Sequence, residues 1–589
     1  FLRMGPDSTD EREVNFVDDR LDVIGDEIDI LSAGVIGLTM KCARCHSHKY
    51  DPIPQRDYYR LLDIFKGAYD EHDWMVPQSR GSAGKTMVKR HLPYVPPGLT
   101  PAQLMQQEQE REVRNRELDR QIEALKATLE QKAEPIKKKL LENKLDQLPQ
   151  VLREDLRKML ETPMDKRTEV EKYLAEKFEP RLKIEPEELK KSDTAFRSEA
   201  EETEKKVKLL EFRKLSEPRI RALWDRGVPS PTYLLRRGEP TNFGRLVGPG
   251  VPSVLTDGKT PFEVKPPWPG AQKTGRRLAL ARWLIHPDHP LTARVMVNRI
   301  WKQHFGVGIV KTLGNFGTTG TPPSHPELLD WLAAEFVRQG WSMKAMHRLM
   351  MTSDTYRQSS AVTPFLEKAD PDNVLLSRMP LKRMEAEVLY DTLVLISGRL
   401  DETRYGVPAP VLIRGDGLVT PIETENRWRR GIYVEQRRTQ TPTILESFDF
   451  PSMSPNCLER PVSTVAPQAL YLVNNAMVRD LARSFAERVE KEVGADPQKQ
   501  VERAFWIALS RPPKDEERQA SLEALLRLRE EHAKQLREQK AMAPKTATLK
   551  EEMGKATDWQ RSQKGEVSLL ALAKFAHTLM NSASFLYID

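Results

Sequence analysis

A stretch rich in charged side chains divides this chain and limits what it can fold into. Residues 101–215 are dense in Glu, Lys, Arg and Gln. Apolar residues recur within it at steps of four, three and four, the spacing of a coiled-coil-like seam. These are Leu118, Ile122, Leu125 and Leu129. Pro135 interrupts or ends this helix. We therefore expect a charged helical hairpin, and the alternative is a solvated spacer without partners.

The rest of the chain is long enough to need several hydrophobic cores. A length of 589 residues predicts two to four domains. Hydrophobic residues make up 39% and charged residues 30%, which is typical of a globular protein with some very polar stretches. We divide the chain into a first helical domain, a linker, the charged helical region and a large C-terminal domain, at residues 1–75, 76–100, 101–225 and 226–589.

Charge and hydropathy exclude two classes of partner. The 93 basic and 86 acidic residues are mostly interleaved, so the net charge of +7 predicts no nucleic-acid surface. No run of about 18 apolar residues occurs, and no membrane span is predicted.

The chain opens at Phe1 in a polar stretch without a visible signal peptide, and we interpret this N-terminus as truncated.

Residue periodicity predicts a mainly α-helical, multidomain fold with a minor β component in the C-terminal domain. Pro52 and Pro54 predict a turn. Tyr58, Leu61, Leu62 and Phe65 then follow at helical spacing. Further helical patterns occur at 276–284, 293–304, 326–338, 343–351, 466–530 and 567–579. Residues 431–435, with the sequence GIYVE, predict a strand.

The sharpest chemical signal is Cys42-Ala43-Arg44-Cys45-His46. Cys-x-x-Cys-His is the spacing for attachment of a c-type haem. Each thiol adds to one haem vinyl group, and the adjacent histidine becomes the proximal ligand of the iron. The motif predicts a covalent haem c on Cys42 and Cys45, with His46 as the iron ligand, and hence a location outside the cytoplasm.

Other cofactors remain open for these residues. Cys42, Cys45, His46 and His48 are all possible zinc ligands. Four ligands within seven residues are, however, hard to wrap around one ion. The two cysteines are also a possible redox dithiol. A distal haem ligand would come from elsewhere in the chain or be absent; His304, His325 and His347 are candidates in principle.

Around this motif the chain resembles a known family. Residues 37–53, GLTMKCARCHSHKYDPI, and 55–60, QRDYYR, are similar to the end of the planctomycete cytochrome c domain PSCyt2, or DUF1549. Family members usually have Asp where this chain has Ser47. The C-terminal half resembles the PSD1 domain, or DUF1553, at residues 277–284, 291–301, 323–332, 463–470 and 584–589.

The resemblance implies an exported protein that transfers electrons. It implies a preceding cytochrome c domain or a separate redox protein as partner, and a possible carbohydrate-related process. The signal peptide and the first half of PSCyt2 are expected to be missing. One alternative is a carbohydrate-active hydrolase or oxidoreductase with its site in the PSD1-like domain, tested at His325, Asp449 and Arg299. Another is a zinc-stabilised binding protein.

Two further groups in the PSD1-like domain carry chemically capable side chains. Asn298, Arg299, Trp301 and His304 share one predicted helix, and Arg299 there suggests an anion pocket, with a helix anchored by Trp301 as the alternative. The second group is Asp449, Cys457, Glu459 and Arg460 in one loop. No base that would activate Cys457 is identifiable, so a buried inert thiol is favoured there.

Overall fold

The computed structural model describes residues 16–74, 91–93, 100–215, 219–221, 223–424, 427–437, 440–451, 457–542 and 556–588. The described chain is mainly helical with short strands, which confirms the predicted fold class. The helices are α1 (Val17–Leu31), α2 (Gln55–Lys66), α3 (Pro101–Asp146), α4 (Gln150–Glu161), α5 (Glu169–Leu182), α6 (Pro186–Ser192), α7 (Thr194–Arg213), α8 (Arg276–Leu284), α9 (Thr292–Phe305), α10 (Pro326–Arg338), α11 (Met343–Met351), α12 (Asp354–Arg357), α13 (Pro364–Ala369), α14 (Ala386–Ile396), α15 (Thr443–Ser447), α16 (Ala466–Asn474), α17 (Ala476–Val493), α18 (Pro497–Leu509), α19 (Asp515–Met542), α20 (Ala556–Met580) and α21 (Ala583–Leu586).

The strands are β1 (His91–Pro93), β2 (Arg219–Arg221), β3 (Thr232–Leu235), β4 (Phe243–Val247), β5 (Lys382–Arg383), β6 (Leu400–Asp401), β7 (Val411–Ile413), β8 (Val419–Pro421), β9 (Trp428–Arg429) and β10 (Tyr587–Ile588). They pair only two by two within the described residues: β1 with β2, β3 with β4, β5 with β10, β6 with β9, and β7 with β8. The hairpin of β3 and β4 is antiparallel and sets Tyr233 opposite Leu246. No large sheet therefore organises the described fold.

The chain separates into two compact units. The first comprises the described parts of 1–92, 219–402 and 410–589, and the second comprises those of 93–218 and 403–409. The four domain boundaries that we predicted remain a prediction, and most of the predicted linker lies outside the described residues. None of the described helices is both long and apolar enough to cross a membrane.

In the second unit, α7 packs antiparallel to α3 as a helical hairpin. Asn115 exchanges hydrogen bonds of 2.8 Å with the backbone of Leu215, just after α7. Lys132, further along α3, pairs with Glu199 near the start of α7. The seam residues Leu118 and Ile122 are buried. The apolar spacing thus marks the face along which the charged helices pack.

The first unit has three hydrophobic cores. One lies among α14 to α20, and another joins α9, α10 and α11. The third is built from two distant parts of the chain, because residues between Leu21 and Tyr69 pack with Leu235, Val251 and Leu280. The segment after the charged region therefore completes the core that α1 and α2 begin.

Buried polar side chains of α2 and its C-terminal end strengthen this junction. The Asp57 carboxylate accepts hydrogen bonds from the amide and hydroxyl of Ser253, at 2.7 and 2.6 Å. The Asp63 carboxylate accepts hydrogen bonds from the Thr232 hydroxyl and from the Arg276 guanidinium. Each buried carboxylate has partners from the later segment, so its desolvation is compensated only when both segments are in place.

The sequence predicted several helix bounds to within a residue. The helices expected at 276–284, 326–338 and 343–351 are α8, α10 and α11. Pro326 occupies the first turn of α10, where its missing amide hydrogen leaves no hydrogen bond unmade. Ser342 caps α11 by accepting from the amide of Ala345 at 3.3 Å.

Two local predictions are wrong. Residues Gly431–Tyr433 form a 3-10 turn instead of a strand, because the Gly431 amide donates to Asp391 at 2.6 Å and the Tyr433 amide donates to the Arg430 carbonyl. Pro135 does not end its helix but lies inside α3. A proline in a helix removes one hydrogen bond, and here the many remaining bonds of a long helix compensate for that loss.

The buried ion pair of Lys66 and Glu71 provides a test of the junction, because Lys66 also donates to the Pro231 carbonyl of the later segment at 3.2 Å. The ammonium lies 2.7 Å from the carboxylate, and the Lys66 side chain is fully buried. Lys66→Met would leave the Glu71 charge without its main partner, and we expect a loss of about 3 kcal/mol in unfolding free energy. Urea denaturation measures this loss. Lys265→Met, in the exposed pair with Glu263, is the control and should change stability by no more than about 0.5 kcal/mol. Equal losses of unfolding free energy in both variants would show that the buried pair contributes no more to stability than the exposed pair.

Candidate functional site

The cysteine motif begins on a short 3-10 helix, Lys41–Arg44, which Cys45 follows directly as its C-terminal cap. Ala43 is fully buried in the core with α2, whereas Cys42 and Cys45 are exposed and carry free thiols. The intervening Ala43 therefore anchors the turn in the core, while both cysteines stay exposed on it. They are accessible to a ligand that approaches from outside.

His46 follows the turn with one ring nitrogen already bonded. Its Nδ1 lies 2.6 Å from the carbonyl oxygen of Ser47. A carbonyl oxygen only accepts hydrogen bonds, so Nδ1 carries the hydrogen and Nε2 of the neutral ring keeps its lone pair. A ligating histidine commonly has its other nitrogen bound in this way. The exposed His46 ring is thus arranged to bind through Nε2.

His48 has a different environment. Its side chain is almost fully buried, and its Nδ1 accepts from the Asp51 amide at 2.9 Å. Its Nε2 lies 3.3 Å from the Thr39 hydroxyl. Both nitrogens are therefore engaged within the fold, and His48 serves as a local anchor. No group of three or more His, Cys, Asp or Glu side chains is placed to bind a metal in the part of the chain described.

Two side chains of α2 fix the position of the motif. The Gln55 amide nitrogen donates to the carbonyls of Arg44 and Leu235, each at 2.9 Å. The Tyr59 hydroxyl donates to the same Arg44 carbonyl at 2.8 Å, and burial raises the pKa of Tyr59. The two residues form a clamp between the end of the motif helix and β3.

The turn after β3 lies directly against the second thiol. Gly238 has a φ of 75°, and a Cβ atom built there would lie 2.7 Å from the Cys45 sulfur. Both the left-handed backbone and the close approach favour glycine at this position. The turn therefore forms one wall of the cysteine site.

Carboxylates of α1 surround the other side of the motif. Arg44 pairs with Asp22, and Lys41 lies 3.7 Å from Asp26. Burial raises the pKa of Asp26 and Asp29, whereas Lys41 opposes that rise. The two cations of the motif helix are thus paired with acidic side chains of α1.

A glycine-rich loop of the PSD1-like region, residues 314–320, contacts the segments that flank the motif. Asp51 accepts from the amide of Thr318 at 2.7 Å, and the Phe316 amide donates to the Gly37 carbonyl at 2.7 Å. The loop also borders a cavity of about 400 Å³ whose lining includes Arg294 and Asp330, paired at 2.7 Å. The segments that flank the cysteine motif are therefore in direct contact with the PSD1-like region within the first unit.

The predicted group on α9 is largely structural. Asn298 is fully buried and exchanges two hydrogen bonds of 2.9 Å with the backbone of Val310. Trp301 packs into the core, and His304 lies 2.8 Å from His347, ring nitrogen to ring nitrogen. Arg299 keeps two buried nitrogens without hydrogen-bond partners, and burial lowers its pKa. His325 contacts the Ser324 hydroxyl at 3.0 Å.

Within the described part of the loop, the predicted group falls into two separate ion-pair networks. Asp449, with a φ of 64°, accepts from Arg383 and from the amide and hydroxyl of Ser463. Burial alone would raise the pKa of Asp449, but these hydrogen bonds hold it below its usual value. Arg460 instead binds Glu387 through two contacts of 2.6 and 2.8 Å.

The cysteine of this loop has no activating base among its described contacts. The Cys457 thiol donates to the carbonyl of Glu459 at 3.1 Å. We predicted a buried thiol, whereas the Cys457 residue is only partly buried. No hydrogen bond joins any two of Arg299, His325 and Asp449 in the described residues, so the contacts do not assemble them into one site.

Comparison with known families covers much of the chain. Residues 1–70 match PSCyt2, described as a protein of unknown function (DUF1549). Residues 276–525 match PSD1, described as a protein of unknown function (DUF1553). The chain thus combines a PSCyt2 segment, which contains the cysteine motif, with a PSD1 region, and the resemblance predicted from the sequence is confirmed. No curated protein and no solved structure matches it.

Sequence reasoning missed Gln55, Tyr59 and Gly238. The first two lie within the PSCyt2 stretch that we recognised, but nothing in a single sequence distinguishes a residue that bonds the motif from one that fills the core. Gly238 lies in a Pro- and Gly-containing segment far along the chain. Its role depends on a long-range contact with Cys45, for which the local pattern contains no signal.

Gln55 should control the order of the motif turn. Gln55→Leu removes the donor to two carbonyls, and we expect a loss of about 1–3 kcal/mol in stability. We also expect faster reaction of the Cys45 thiol with a thiol reagent, because its turn loses contact with β3. Labelling followed by peptide mass spectrometry measures both cysteine rates. Gln303→Leu, at an exposed position of α9, is the control. Unchanged labelling in Gln55→Leu would contradict the clamp.

Proposed function

We propose that this chain is an extracytoplasmic c-type haem protein that transfers electrons. The observation that carries this proposal is the arrangement at the motif: two free, exposed thiols on one 3-10 turn, beside a histidine whose Nδ1 is occupied by the Ser47 carbonyl. The donor set fits a covalently attached haem, because Cys42, Cys45 and His46 are all exposed within five consecutive residues.

Each residue has a distinct part in this scheme. Cys42 and Cys45 would hold the haem: the S–H group of each would add across one vinyl group, with the sulfur on one carbon and the hydrogen on the other. His46 would ligate the iron through Nε2, and the Ser47 carbonyl holds the hydrogen on Nδ1 that this tautomer requires. Haem bound in this way supplies one-electron transfer.

The location and partners follow from that chemistry. Covalent haem of this type is expected outside the cytoplasm, in the periplasm or secreted. The electron partner is a separate redox protein or a cytochrome c domain. The process that these electrons serve is unidentified, and the family resemblance suggests that it is carbohydrate-related. Contact between Asp51 and the glycine-rich loop supports exchange with the PSD1 region.

A direct test is the mass and absorbance of protein exported in the presence of cytochrome c maturation machinery. We expect one covalently bound haem per chain, iron as the stoichiometric metal, and a pyridine haemochrome spectrum. Cys42→Ser with Cys45→Ser should abolish covalent haem, whereas Cys457→Ser should retain it. Zinc without iron in the wild-type protein would support the zinc-binding alternative and end the haem proposal.

His46 should determine the iron ligation separately from the covalent bonds. His46→Gln removes the imidazole nitrogen proposed to ligate the iron, and we expect loss of the histidine-ligated spectrum together with poor haem incorporation. His72→Gln, at an exposed histidine outside the motif, is the matched control. A wild-type spectrum in His46→Gln protein would exclude His46 as the axial ligand.

A further inference from the structure

The turn between β3 and β4 is placed to do more than cover the cysteine motif. It runs through Arg236, Arg237 and Gly238. At Gly238 the missing side chain leaves only enough space for the Cys45 sulfur, at 2.7 Å from an ideal Cβ position. The contact is to the sulfur itself, which is the atom that would form the second thioether.

This turn is tied to the motif by hydrogen bonds. Gln55 bridges the carbonyls of Arg44 and Leu235, which immediately precede Cys45 and Arg236 in the chain. The Arg236 amide in turn donates to the carbonyl of Asn242 at 2.9 Å and closes the hairpin. A group bound at Cys45 would therefore meet a wall whose position is fixed.

The two arginines of the turn are exposed, and neither has an ion-pair partner in the described residues. Arg237 also has a left-handed backbone, with a φ of 57°. That conformation costs a residue with a side chain about 1 kcal/mol or more. Two unpaired cations beside a thiol site, one of them in an unfavourable backbone conformation, suggest that the turn binds an anionic group.

We infer that the turn Arg236–Gly238 is part of the haem site. Gly238 provides the space that the Cys45 thioether needs, and Arg236 and Arg237 neutralise the two carboxylates of the porphyrin. This inference rests on the proposed function. Its chemical basis is that haem is an apolar ring with two acidic side chains, and that guanidinium groups bind carboxylates through paired hydrogen bonds.

The space at Gly238 can be tested by the number of thioether bonds. Gly238→Ala places a methyl group against the sulfur, and we expect a several-fold loss of doubly attached haem, with attachment through Cys42 alone. Gly258→Ala is a closely matched control, because Gly258 has a φ of 68° but no atom within 4 Å of its Cβ position. Peptide mass spectrometry of the purified full chain counts the bonds.

The outcomes separate this inference from the proposed function. Wild-type protein without covalent haem would overturn both. Wild-type protein with two thioethers, together with an equally complete Gly238→Ala variant, would overturn only the role of Gly238. If Gly258→Ala protein accumulates but Gly238→Ala protein does not, the arginine variants decide whether the turn belongs to the haem site.

The arginines can be tested by the reduction potential of the bound haem. A nearby positive charge disfavours the more positive oxidised iron. Arg236→Gln combined with Arg237→Asn should therefore shift the potential to lower values. Asparagine tolerates the left-handed backbone at position 237. Arg282→Gln, which removes an exposed cation from α8, is the control. A potential equal to that of the control variant would overturn the assignment of the arginines.

Discussion

The fold around the cysteine motif depends on buried carboxylates that bind a part of the chain far away in sequence. Asp63 accepts a hydrogen bond from the hydroxyl of Thr232, which lies 169 residues later in the chain. Asp57 accepts one from Ser253, 196 residues later. An unpaired carboxylate in such a position would be strongly destabilising. The junction therefore forms as a whole, and the charged helical unit is an insertion between its two halves.

This junction also explains the geometry of the motif. The side of α2 that contains Gln55 and Tyr59 positions the carbonyl of Arg44, and the same helix positions β3 through Leu235. Cys45 is consequently located between a helix and a hairpin that are fixed to each other. A thiol site assembled from distant segments can be more rigid than a short loop alone, which suits covalent attachment and precise ligand orientation.

The sequence predicted those features that depend on local chemistry. The bounds of α10 and α11 followed from the helical spacing of their apolar residues, and so did the seam of α3. The strand predicted at residues 431–435 is wrong, although its β-branched and aromatic residues favour a strand. The hydrogen bond from the Gly431 amide to Asp391 stabilises a 3-10 turn at Gly431–Tyr433 instead. The contact of Gly238 with Cys45 has no local cause, so no local pattern could predict it.

The placement of His48 bears on the choice between haem and zinc. A tetrahedral zinc site would need the rings of both histidines to converge with the two sulfurs. The ring of His48 instead accepts from the Asp51 amide and lies beside Thr39, so its recruitment would require those bonds to break and a nearly buried side chain to turn outward. Haem requires no such change, because Cys42, Cys45 and His46 are already exposed and His48 can keep its structural bonds. The same local structure therefore favours the ligand that uses three of the four residues.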